Sequence, residues 1–261
     1  MSGHSKWHSI KHKKGIADAK RGKIFTRHTH LIAMAARQGG GDLSMNPNLR
    51  LAIDNAKADN VPNANIDRAI KKGTGELKEG AEIAEVTYEG YDPGGVALIV
   101  ECLTDNKNRT VTNLRTLFSK NGGNMSASGS VSYLFDRKGV ITVDGTGKDK
   151  EGLELAAIDA GAEDVGWDGE LLLLYTDLKK LTEVKDGLKS NSVQNAEIRL
   201  IPKTTVRIED PTMAKKVIGM MEAIEEDPDV SNVWSNFDIP ENLLPAACLP
   251  VGMGRLVMEQ N

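Results

Sequence analysis

The stretch EVTYEGYDPGGVALIVECLTD, residues 85–105, decides the architecture of this 261-residue chain. Its halves are runs of strand-forming residues, and Asp92-Pro93-Gly94-Gly95 between them is a turn too short for a crossover helix. In the second run Val96, Leu98, Val100 and Cys102 share a face at the two-residue period of a strand. A hairpin of this kind, followed by single helices, favours an α+β sandwich over a doubly wound parallel sheet.

Working downstream, Val111, Leu114 and Phe118 mark the inner side of a helix that Gly122-Gly123 end. SVSYLF (130–135) and GVITVD (139–144) read as strands. A second cycle follows: helix 151–160 stopped by Gly161, strand 169–175, helix 177–190 with Asp177 as N-cap, and strand 196–201. A third runs from TTVRI (204–208) through Asp210-Pro211 to a helix with Ala214, Val217, Ile218, Met221 and Ile224 inward, then to VSNVWSNFDIP (230–240). Each ferredoxin-like unit needs about four strands and two helices. Two such units fit only if the last helix and strand return to complete the first. The expected layout is a discontinuous α+β domain (79–136 and 205–247), an α+β domain inserted in it (137–204), and a tail (248–261).

Upstream of the hairpin the period is helical. Ile16 to Gln38 puts Ala17, Ile24, Leu31, Ala35 and Gln38 near one side before Gly39-Gly40-Gly41. Asn46 and Pro47 open a second helix with Leu49, Ala52, Ile53 and Ala56 inward. Pro62 opens a third with Ile66, Ala69 and Ile70 inward, and Gly73 closes it. Residues 1–78 thus read as a basic arm and a three-helix domain.

The net charge of −4 conceals a division. Residues 1–78 hold 15 Lys and Arg against 6 Asp and Glu, whereas the remaining 183 hold 18 against 31. All five histidines (His4, His8, His12, His28, His30) lie in the first thirty residues. Such asymmetry suits a basic part that meets a polyanion and an acidic part held away from it. The densest cations, Lys6, Lys11, Lys13, Lys14, Lys20, Arg21, Lys23 and Arg27, are the candidate nucleic-acid-binding residues, with Trp7 available for base stacking. About six phosphate contacts would give log affinity a slope near −5 against log salt on duplex DNA. Arg21, Arg27 or Gln38 can reach base edges, but no helix-turn-helix signature accompanies them, so phosphate contact is the safer expectation.

Other functions find little support. With 39% apolar and 27% charged residues the composition is that of a soluble globular protein. No run approaches the roughly 18 apolar residues of a membrane helix. Cys102 and Cys248 form no CxxC, which points to reduced thiols in the cytoplasm. GxSxG, HExxH and phosphate-loop motifs are absent, so neither catalysis nor a small-molecule substrate nor a cofactor is expected. His4, His8 and His12 share a helical face, yet no further ligand lies near and Lys6, Lys11, Lys13 and Lys14 repel a cation, so no metal is assigned. The acidic run Glu222 to Asp229 reads as a solvated loop, and NGGNMSASGS (121–130) as a flexible connection or a contact loop exposing Met125.

GHSKWHSIKHKKGIADAKRGKIF (3–25), GGGDLSMNPNLRLAIDNAKADNVPNANIDRAIKKGTG (39–75), TYEGYDPGGVALIVECLTDNKNRT (87–110), FSKNGGNMSASGSVSYLFDRKG (118–139) and SNFDIP (235–240) closely resemble the YebC/PmpR family and its mitochondrial relatives. The resemblance spans nearly the whole chain. It implies one helical and two α+β domains in a cytoplasmic protein without a cofactor, and two competing roles. One is a DNA-binding transcriptional regulator; the other is a translation factor on the ribosome, bound to ribosomal RNA and assisting elongation, as implied for the mitochondrial translational activator of cytochrome oxidase. The intact TDNKNRT stretch (104–110) adds Arg109 to the candidate nucleic-acid-binding residues. A third reading, a protein-binding scaffold using the acidic domains, needs no nucleic acid.

Overall fold

The computed structural model describes residues 18–77, 83–188, 192–240 and 243. Three helices come first: α1 (Asp18–Gly39), α2 (Pro47–Ala58) and α3 (Asn63–Thr74). Their shared core is Ile32, Ala36, Leu49, Ile53, Ala56, Val61, Ile66 and Ala69. The buried face of α1 differs from the expected one. It runs Phe25, His28, Ile32, Ala36, whereas Gln38 is exposed and Ile24 and Leu31 are half-buried. The histidine can occupy that stripe because its Nε2 lies 2.6 Å from Asp59 Oδ2, so burial does not leave the ring without a polar partner on that side. Counting apolar residues alone put the stripe one position off.

Gly73 does not end α3, which continues to Thr74 and stops at Gly75, in the left-handed region at φ 80°. Gly73 is instead a contact point. A Cβ there would lie 2.3 Å from Ala33 O on α1. Alanine would gain at most about 1 kcal/mol of helix propensity but would push on a backbone carbonyl, an overpacking of ~1–3 kcal/mol. Gly73→Ala is therefore expected to lose ~1–2 kcal/mol, seen as a lower urea midpoint; an unchanged or raised midpoint would disprove the close approach.

The first sheet contains β1 (Ala84–Tyr91), β2 (Ala97–Thr104), β3 (Asn124–Ser126) and β9 (Val230–Ser235) in the order β3-β1-β2-β9. Helices α4 (Lys107–Lys120) and α7 (Pro211–Glu225) pack Leu114, Phe118, Ala214, Val217, Ile218, Met221 and Ile224 against Leu98, Val100 and Cys102. On the other face Ala97, Ile99 and Trp234 meet Val131 and Phe135. Both faces of β2 are thus covered, as its apolar run Val96–Val100 requires.

The inserted part runs β4 (Phe135–Asp144), α5 (Lys150–Asp159), β5 (Asp164–Asp168), β6 (Leu171–Thr176), α6 (Leu181–Gly187) and β7 (Val193–Pro202). Its strand order β5-β6-β4-β7 completes a ferredoxin-like β-α-β-β-α-β unit. β6 is antiparallel to both neighbours, with Leu174 opposite Ile141 and Val165. Two short strands, β8 (Val206–Arg207) and β10 (Phe237–Asp238), pair in parallel.

Contacts divide the chain into two compact units. Among the described residues, 85–136 and 200–240 form one; the three helices and Arg137–Arg199 belong to the other. Inside the latter, the Asn55 side chain treats β7 as a strand neighbour would. Its Nδ2 donates to Ala196 O at 2.8 Å, and Ala196 N donates to its Oδ1 at 3.4 Å. This covers part of an edge strand that would otherwise offer unpaired backbone groups. Lys185 and Asp54 pair at 2.6 Å beside it, and Leu51 packs on the inserted core.

SVSYLF is not a strand. Ser132–Leu134 form a 3-10 turn and β4 starts at Phe135. The reason is Glu89, a buried residue whose carboxylate accepts the amides of Gly129 (2.8 Å), Val131 (2.6 Å) and Ser132 (3.2 Å). Amides held by a side chain are not free to form a ladder. The same bonds fasten the 121–130 connection, where β3 pairs with β1 and Met125 packs against the core rather than standing in solvent.

Candidate nucleic-acid interface

Of the candidate cations, Lys6, Lys11, Lys13 and Lys14, and Trp7 with them, lie outside the described residues, as do His4, His8 and His12. Lys20, Arg21, Lys23 and Arg27 fall on the first turns of α1. Arg27 is partly committed elsewhere: its Nη2 lies 3.6 Å from Glu197 Oε2 on β7, and Glu197 in turn accepts from the buried Arg199. The helical unit adds exposed cations outside the candidate set: Arg37, Arg50, Lys57, Arg68 and Lys71. With the apolar faces of α1, α2 and α3 turned on one another, these charges remain on the outside.

The connection from α1 to α2 is held by the side chain of Asn46. The buried Asn46 donates from Nδ2 to Ala35 O and Gly40 O, both at 2.8 Å, and accepts from Leu49 N at 3.0 Å. All three bonds of its carboxamide are within the protein, and it caps α2 as Asn-Pro promised. Arg50 donates twice to Leu43 O, and the hydroxyl and amide of Ser44 hold the Asp42 carboxyl below the usual carboxylate range. Met45 and Leu43 project from this loop, 78% and 43% exposed.

Arg109 sits in the other unit and in a different setting. Its Nη2 donates to Asp229 Oδ1 at 2.8 Å and to Asp105 at 2.9 Å, and Nε donates to Asp229 Oδ2 at 3.3 Å. Thr110 Oγ1 donates to the same Asp229 carboxylate at 2.7 Å, and Thr104 lies 3.2 Å from it. Burial pushes the Asp229 carboxyl up, but the Arg109 guanidinium and the two hydroxyls outweigh it and hold the group below the usual range. TDNKNRT therefore folds as a polar knot: Asn106 caps α4 by accepting Arg109 N, and Arg109 ties that helix to the start of β9.

The knot corrects the reading of 222–229 as a solvated acidic loop. Asp227 and Asp229 are buried; Asp227 accepts from Asp229 N at 2.9 Å and from Asn113 Nδ2 at 3.2 Å. The opposite environment is found at Asp92, where burial raises the carboxyl above its ordinary value against the lowering effect of the Val96 and Gly94 amides. Among the described residues no three His, Cys, Asp or Glu side chains group as metal ligands, and no helix is long and apolar enough to cross a membrane.

Two family models divide the chain between them: the TACO1/YebC protein N-terminal domain matches residues 5–76, and the TACO1/YebC second and third domain matches 83–237. The chain belongs to this family. The first model ends where α3 does, and the second spans the first sheet together with the inserted unit. Family members named probable transcriptional regulatory protein are 49% identical in Halothermothrix orenii (over 94% of this chain and 98% of the relative) and 51% identical in Persephonella marina (94% and 98%). The crystal structure of a conserved hypothetical protein from Aquifex aeolicus superposes with a TM-score of 0.82 at 48% identity, covering 87% of this chain and 94% of that one.

Proposed function

We propose that this family member is a regulator of gene expression that binds nucleic acid through its basic helical unit, acting as a DNA-binding transcriptional regulator in the cytoplasm. The observation that carries the reading is the charge division: 15 cations against 6 acids in residues 1–78, with the core of the three helices closed by apolar contacts. The names of the relatives agree with it. A ribosome-bound translation factor is the second reading. It draws support from Arg27, whose ion pair with Glu197 turns a candidate base-reading side chain toward the protein's own sheet, favouring phosphate contact without sequence readout. Arg109, tied to Asp229, serves either reading best as a support rather than a contact.

The deciding measurement compares wild type with the combined reversal K11E/K13E/K14E/K20E/R21E on promoter DNA and on purified ribosomes at several salt concentrations. At least tenfold weaker binding and a flatter salt slope are expected for the reversal. A promoter preference with single-base changes costing about 1–3 kcal/mol selects the transcriptional reading, and co-sedimentation with ribosomes without DNA sequence preference selects the other. Equal binding of both proteins to both targets would sink the basic-end proposal.

A further inference from the structure

The inserted unit carries a surface that nucleic-acid binding does not use. Helix α5 buries Leu153 and Ala157 in its own core, and Lys150 and Glu154 both engage Trp167, the cation 4.7 Å from the ring centroid and the carboxylate accepting the indole N–H. Its outer side is Glu151, Leu155, Ile158 and Asp159, spaced i, i+4, i+7, i+8 and so aligned in one stripe. Leu155 is 62% and Ile158 57% exposed, two large apolar side chains about one turn apart in water. The acids at the two ends, Glu151 and Asp159, are exposed and have no ion-pair partner among the described residues. Residues 150–170 hold seven acids and one cation, so the field around the apolar pair is strongly negative.

Phosphate is repelled from such a surface, which excludes the ligand of the basic unit. An acidic rim around an apolar centre complements the reverse pattern, a segment with cations flanking an apolar stripe. We infer that the outer face of α5 docks a cationic amphipathic helix of a partner protein, its apolar residues covering Leu155 and Ile158 and its Lys or Arg meeting Glu151 and Asp159. The protein then joins two kinds of partner: a polyanion on the three-helix unit and a basic protein segment on the inserted one. The inner side of α5 is already packed through Leu153 and Ala157, so presenting the outer face needs no refolding of the helix.

The test uses the full chain and a synthetic 18-residue helical peptide of leucine and lysine, with a scrambled peptide of the same composition and a leucine–glutamate counterpart as controls. Binding is read by fluorescence anisotropy. The amphipathic lysine peptide is expected to bind, the scrambled one several-fold more weakly, and the glutamate one not at all. L155S/I158S should weaken the lysine peptide at least tenfold without changing the melting temperature, because both side chains are exposed. E151K/D159K should weaken it comparably and flatten its salt dependence. Equal binding of the lysine peptide to wild type and L155S/I158S would overturn the inference, since generic attraction to an acidic protein would then account for it. So would self-association in sedimentation that L155S/I158S abolishes, which would assign the face to a second copy of this chain.

Discussion

Glu89→Ala is expected to destabilise the protein by ~3 kcal/mol or more, because one buried carboxylate satisfies three backbone amides. Hydrogen bonds to a charged group are worth about 1.5–3 kcal/mol, and a buried amide left without an acceptor costs about 1–3. Val131 is fully buried, so water cannot replace the lost acceptor there, whereas Gly129 and Ser132 are exposed and can be rehydrated. The three contributions are therefore not additive, and the buried amide dominates. The change should also be local in hydrogen exchange: the Val131 amide loses protection first, and the pairing of Glu89 to Tyr91 with Asn124 to Ser126 follows. Glu89→Gln keeps one acceptor and should lose about half as much. A Glu89→Ala protein with unchanged stability and a still-protected Val131 amide would show that the loop is held by something else.

That carboxylate also shows where residue patterns stop being informative. The hairpin, the alternating faces of β2 and most elements of the inserted unit were legible because each depends on local chemistry: strand period, Asn and Pro caps, and glycines such as Gly161, at φ 98°, that only a turn accommodates; β5 (Asp164–Asp168) went unread, and the helix expected from Asp177 starts only at Leu181. The 3-10 turn at Ser132–Leu134 was not, since SVSYLF has strand composition and the residue that claims its amides is some forty positions earlier. Gly73 was misread as a stop because the partner that needs it small, Ala33, is on another helix. His28 was left out of the inner stripe of α1 because a histidine counts as polar until its acid is in view. For the candidate interface the basic charge was plain from composition, but the settings of individual cations were not. Arg27 and Glu197 are 170 positions apart in sequence, and Arg109 and Asp229 are 120 apart. A lone arginine in a polar motif looks the same whether it faces a phosphate or holds two elements of its own fold together.

Asp229→Ala separates those two roles for Arg109, and is expected to cost ~2–3 kcal/mol at pH 7 from the loss of charge-assisted bonds to a buried carboxylate. Arg109→Ala should cost less, because the outer half of its side chain reaches water while Asp229 retains Thr104 and Thr110. The two losses should fall short of additivity in the double variant, as contact between them requires. Their pH dependence follows from the sign of the shift. Asp229 is held below its ordinary value in the folded state, so its contribution is present above the unfolded pKa near 3.9 and disappears as pH falls through the lower folded value. The difference between wild type and Asp229→Ala should therefore be constant from neutral pH to about 5 and shrink below about 4. Asp92 works in the opposite sense: its raised carboxyl favours the folded state increasingly as pH falls, so the acid limb of wild type reflects both groups while the difference curve isolates Asp229. If Arg109 serves as a phosphate contact instead, Arg109→Ala would weaken nucleic-acid binding about as much as it weakens folding, and Asp229→Ala, which frees the guanidinium, would strengthen it. With Arg109 as a tie between α4 and β9, both variants melt earlier and neither changes affinity once measured well below the melting temperature.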